Sequence, residues 1–120
     1  MDASGWVSVL REDGETVGYL EPLDPGFERF QPRNLLGHAV GAGCSYVDGE
    51  ERLIERGISE LIELWTLDGQ YDDREAALAI LEASPRGIIL ANAQRAKAMA
   101  PAERIRVEWP DVAQRLALLR

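Results

Sequence analysis

The sequence predicts an α+β fold, a mostly antiparallel curved sheet or partly open β-barrel with two or three short helices. Three observations carry that expectation. Asp13-Gly14 stands between two apolar runs. Ser84-Pro85-Arg86-Gly87 stands between two more, so the chain encodes two hairpins. The other strand-like stretches are joined by turns, so no parallel unit with a helical crossover can be drawn. With 120 residues and 46% apolar content, a single globular domain over 1–120 is expected.

Taken in order, residues 6–22 read WVSVLREDGETVGYLEP. A two-residue type I′ turn at Asp13-Gly14 sets Leu10 opposite Val17 and Ser8 opposite Tyr19. Trp6 then shares their face, and Val7, Val9, Gly18 and Leu20 lie on the other. Both faces carry apolar groups, so the hairpin is expected to be covered on each side. Pro22 and Asp24-Pro25-Gly26 end it. Residues 27–33 (FERFQPR) allow a short strand, and the three glycines within 34–46 suggest a buried turn leading into a loop. Asp48 as a cap, Glu51 three residues later and Gly57 beyond the end predict a helix over 49–56. Residues 61–67 (LIELWTL) alternate and predict a strand stopped by Asp68-Gly69.

Residues 75–94 set helix propensity against turn chemistry. EAALAILEAS favours helix. The Pro and Gly of Ser84-Pro85-Arg86-Gly87 suit a type I turn with a glycine bulge, the three-residue hairpin connection. Turn chemistry is the more specific signal, so a hairpin pairing 76–83 with 88–93 is expected. Residues 94–100 fit one or two helical turns. Residues 103–109 alternate, with Ile105, Val107 and Trp109 on one face, and predict a half-buried strand ended by Pro110. Asp111 as a cap, followed by Val112, Leu116 and Leu119, predicts a short terminal helix.

The net charge is −8, from 21 acidic and 13 basic residues. Residues 48–82 hold eleven acids and three arginines; residues 1–47, at −4, and 83–120, at +4, cancel. A negative body disfavours nucleic acid, because each phosphate contact needs a Lys or Arg to displace counterions. The basic last third has Trp109 as its one aromatic residue, too few for stacking single strands. No run of 18 apolar residues exists to span a membrane. The N-terminus lacks the basic and then apolar regions of a secretory leader. One cysteine, Cys44, excludes an internal disulfide and a multi-cysteine zinc site, so a cytoplasmic protein is expected. Twelve of the thirteen bases are arginine, a bias that GC-rich coding produces.

Few motifs carry chemistry. Gly41-Ala42-Gly43 begins like a dinucleotide fingerprint but lacks the third glycine and the strand–helix context. Phosphate binding of the Walker type needs Gly-Lys-Ser/Thr, and Lys97 is followed by alanine. His38 and Cys44 form a nucleophile–base pair only if the fold brings them together. A calcium loop starting at Asp68 would need glycine sixth and glutamate twelfth, where this chain has Asp73 and Ala79. A glycosidase-like acid pair needs one buried carboxyl, and the acids here lie in polar segments. Trp6, Trp65 and Trp109 read first as core. No cofactor and no metal is therefore expected.

Three functional readings follow. The leading one is a non-enzymatic protein-interaction module of the inhibitor, immunity-type or accessory kind. It would dock a basic protein partner through Glu50, Glu51, Glu55, Asp72 and Asp73. A homo-oligomer is compatible with the same composition. The second is a curved sheet binding a small ligand, with the tryptophans and Tyr19, Tyr46 or Tyr71 at its mouth. The third is a small enzyme using carboxylates or the Cys44–His38 pair.

Overall fold

Two antiparallel sheets and one main helix make up the computed structural model, which describes residues 3–119. The fold is α+β, as the turn chemistry implies. Neither sheet closes into a barrel. The chain divides into two compact units, Met1–Ile58 and Ser59–Arg120.

The first unit holds β1 (Val7–Leu10), β2 (Thr16–Pro22) and β3 (Phe30–Arg33), in that spatial order, and helix α1 (Tyr46–Arg56). Ser8 pairs with Tyr19 as the sequence predicts, but Leu10 faces Thr16 rather than Val17. The cause is the turn. Arg11 N–H donates to Glu15 C=O and Gly14 N–H to Arg11 C=O, so three residues close the hairpin instead of two. Gly14 takes φ 86, and the register shift leaves Val17 unpaired and buried. The outer edge of β3 pairs with the following loop through the bridges Phe30–Cys44 and Arg33–Ala39.

Helix α1 starts three residues before the predicted start. Ser45, not Asp48, is its cap, its hydroxyl accepting from Asp48 N–H at 3.2 Å. Asp48 sits instead in the first turn, where the helix dipole favours an acid. Two glycines set how closely the helix lies on the sheet. A Cβ at Gly18 of β2 would sit 2.5 Å from Arg33 O and 2.9 Å from Leu53 Cδ2. One at Gly49 of α1 would sit 2.6 Å from Leu20 Cδ2. The core formed there joins Val9, Val17, Leu20, Phe30, Val40 and Leu53. Each fully buried side chain of that size contributes roughly 1.5–3 kcal/mol.

The second unit opens with a 3₁₀ turn at Ser59–Ile62. It continues with β4 (Trp65–Leu67), β5 (Leu78–Ser84), β6 (Gly87–Asn92), helix α2 (Ala93–Lys97), β7 (Ile105–Val107) and β8 (Leu116–Leu118). Their order is β7-β6-β5-β4-β8. The predicted strand 61–67 thus keeps only its last three residues. Trp65 is buried, its indole N–H donating to Glu60 C=O at 3.2 Å, and that contact follows from the tight turn. The expected 76–83/88–93 hairpin is present, with pairs from Leu78–Asn92 to Ser84–Gly87 and a bulge between Ile80 and Glu82. Its loop is the two residues Pro85 and Arg86, not three.

The predicted terminal helix is absent. Leu116–Leu118 is a strand paired with β4. Asp111, 3% exposed, does cap, but it caps a loop: its carboxylate accepts from Arg115 N–H and Leu116 N–H, each at 3.0 Å. Alternation puts Trp65, Leu67, Leu78, Leu90, Val107 and Leu116 on one face of this sheet, and all are buried.

Candidate functional site

The first unit carries an exposed aromatic ledge. It begins with Asp24, whose carboxylate accepts from the backbone N–H groups of Gly26 (3.1 Å), Glu28 (3.1 Å) and Arg29 (2.8 Å). These bonds freeze the 24–29 loop in a form that puts Phe27 at φ 55. A bulky residue there is strained by about 1–3 kcal/mol, and the surrounding bonds must hold it. Phe27 is nonetheless 62% exposed. Its ring lies 6.5 Å from Phe30, which meets Tyr46 edge-on at 5.5 Å. Buried Phe30 therefore joins two exposed aromatics, one on the loop and one opening α1. Leu23 and Val47 add exposed apolar surface beside them.

Acids border this ledge. Glu28 follows Phe27, and Asp48 follows Val47. Glu50 and Glu51 lie one helical turn beyond Tyr46 and Val47, on the same faces. Glu55 continues the Glu51 row a further turn. Among the described residues none of these five forms an ion pair, so their charge is open to a partner. The unit as a whole holds eleven acids and five arginines.

The predicted contact residues do not form one surface within one unit. Glu50, Glu51 and Glu55 belong to α1, whereas Asp72 and Asp73 belong to the second unit. Asp73 Oδ1 accepts from Ala76 N–H at 2.7 Å and shapes its own loop. Asp72 and Asp73 line an open groove with Glu63 and Arg74. Among the described residues no group of three or more His, Cys, Asp or Glu side chains is placed to hold a metal ion.

The Cys44–His38 pair is not assembled. Cys44 pairs with Phe30 at one end of β3, and His38 C=O accepts from Asn34 N–H just past the other end. Four strand positions separate them, about 13 Å. Asn34, buried, accepts from Leu36 N–H and His38 N–H, which closes that turn. Of the tyrosines, Tyr19 is buried against Trp6, and desolvation raises its phenol above the ordinary value of 10.0. Arg33 bonds Glu21 and stacks 4.9 Å over the Trp6 ring, a satisfied structural cluster.

Sequence reasoning missed Leu23 and Phe27, and it named Tyr46 only as a residue that could line a ligand mouth, not as part of an aromatic ledge. The available signal was an aromatic residue directly after the turn Asp24-Pro25-Gly26, where the chain would otherwise be polar. No protein-family model, no curated protein and no solved structure matches this chain.

Proposed function

We propose that this chain is a protein-interaction module that grips a basic partner segment through the Phe27–Tyr46 ledge of its first unit. One observation carries the reading: Phe27 is exposed in a strained backbone conformation that three backbone hydrogen bonds to the Asp24 carboxylate hold in place. A rigid, solvent-facing aromatic loses little entropy on docking, which is what an interface anchor needs. The bordering acids select the partner's chemistry, a segment with lysine or arginine around an apolar anchor. A single free cysteine fits a reducing, cytoplasmic setting. Among the described residues no helix is long and apolar enough to cross a membrane.

The test is a titration of the labelled protein with a synthetic peptide alternating Arg or Lys with Leu or Trp. Amide shifts should concentrate at 24–30 and 46–51. Phe27→Ala should weaken binding by about tenfold or more. Reversing Glu50, Glu51 and Glu55 to lysine should slow association and leave dissociation nearly unchanged. Equal binding of an acidic peptide, or shifts confined to the second unit, would overturn the reading. Self-association that Phe27→Ala abolishes would assign the ledge to a second copy of this chain instead.

A further inference from the structure

We propose that the second unit has its own binding site, for a small zwitterion with an apolar side group, the chemistry of an amino acid. The site is a pocket of about 380 Å³ at the end of the sheet where β5 and β7 begin and β6 ends. Pockets for small ligands run from roughly 300 Å³ upward, so this one suits a metabolite and not a large cofactor. Leu78, Ala102 and Ile105 give it an apolar floor, and Tyr71 gives it an aromatic wall.

Two opposite charges stand on its rim, Arg95 from α2 and Glu103 from the loop before β7. Among the described residues they form no ion pair with each other or with any other group. Arg95 is nevertheless positioned, because one of its terminal N–H groups donates to Pro101 C=O at 3.2 Å. Its remaining donors fit a carboxylate, and Glu103 fits an ammonium. The neighbouring pocket, near 480 Å³, shares Ala102 but has only Arg104 among alanines, Leu81, Pro101 and Met99. It lacks the second charge and selects for nothing zwitterionic.

The Tyr71 wall is preorganised. Asp68, Gly69 and Tyr71 all take positive φ, at 53, 77 and 62. Leu67 and Gln70 exchange both backbone hydrogen bonds, and the Asp68 carboxylate accepts two from the Arg115 guanidinium at 3.0 and 2.9 Å. A tyrosine at φ 62 is held there against its own preference, and rigid walls reduce the ordering cost of binding.

Calorimetry on the full chain tests the site with leucine and phenylalanine as probes. Phenylacetate and phenethylamine, which lack one charge each, serve as controls. Saturable binding of an amino acid is expected, with each control at least about tenfold weaker. Arg95→Gln and Glu103→Gln should each cost a similar factor. Both side chains are exposed, so circular dichroism and the melting temperature should not move. Tyr71→Ala should weaken the phenylalanine probe more than the leucine probe. No saturable binding up to about 10 mM, or binding that survives both charge removals, would overturn the proposal. The site lies outside the first unit, so neither outcome bears on the Phe27 ledge.

Discussion

The two hairpins that turn residues mark in the sequence close by opposite means. In the first unit Asp13-Gly14 suggests the shortest loop, yet three residues close it, because Gly14 N–H reaches back to Arg11 C=O. In the second, Ser84-Pro85-Arg86-Gly87 suggests three residues, yet only Pro85 and Arg86 lie outside the ladder. Proline fixes φ near −65°, so the loop cannot adopt a primed turn that matches strand twist. The mismatch is absorbed on either side. Ser84 Oγ accepts from Arg86 N–H at 3.2 Å on one side, and Gly87 takes φ 143 on the other. Turn residues thus determine that a hairpin forms, while the loop length depends on where strain is relieved.

The units differ also in what presses on the sheet. In the first, an eleven-residue helix lies close to the strands through Gly18 and Gly49. Replacing Gly49 with valine should have the largest effect on stability, about 3 kcal/mol, because the added atoms meet Leu20 in a closed core. The urea midpoint would read it. An unchanged midpoint would mean that α1 rides further from the sheet than the structure places it. In the second unit Gly69 has open space around its missing Cβ, so Gly69→Ala costs only its backbone strain.

How much of this could be read from the sequence follows the same division. Local signals were sufficient for the presence of both hairpins, for the Ser8–Tyr19 pair and for the presence of helix α1, though not for its start or its cap. They failed at 111–119, where Val112, Leu116 and Leu119 fit a helix while Leu116 and Leu118 equally fit a strand. Pairing with β4 decides between them, and that partner lies some fifty residues away. The charge count marked Glu50 and Glu51, which do flank the ledge. It also grouped them with Asp72 and Asp73, because the acidic stretch 48–82 runs across the division between Ile58 and Ser59. Phe27 escaped notice, and Tyr46 was read only as a possible ligand contact, because the two are related only through Phe30 and no periodicity connects loop and helix.

Asp111 gives the next largest effect and isolates the second unit. Its buried carboxylate holds two backbone donors where β8 begins, Arg115 N–H and Leu116 N–H. Asp111→Ala leaves both unsatisfied and should cost about 2 kcal/mol. Hydrogen exchange should then quicken at 116–118 and in β4, with amides of β1–β3 unaffected. Uniform acceleration across both units would mean that they unfold as one.

Gly14→Val probes the first hairpin more gently. Nothing lies within 4 Å of a Cβ at that position, so only the φ of 86 resists the change. The expected loss is about 1 kcal/mol, read from the urea midpoint. A loss as large as that of Gly49→Val would show that the turn contributes more than its own strain.

The smallest effect separates two acids whose carboxyls are both held below the ordinary 3.8. Asp13, in the first hairpin, is lowered chiefly by the N–H of Glu15, which it accepts at 3.0 Å, and secondarily by Arg11. Asp68, in the second unit, is lowered chiefly by its hydrogen bonds from Arg115. A lowered carboxyl contributes stability that is present above its unfolded pKa and is lost as pH falls through the folded value. Both contributions should therefore persist at neutral pH and vanish on acidification. They should respond differently to the loss of the arginine. Arg115→Gln should return Asp68 toward 3.8, since its main partner is gone. Arg11→Gln should leave most of the Asp13 depression in place, because that substitution does not touch the Glu15 N–H. Carboxyl-carbon titrations by NMR would read each group directly. If both acids returned equally, the Glu15 bond would not be the main cause at Asp13, and the turn would owe its shape to the Arg11 ion pair.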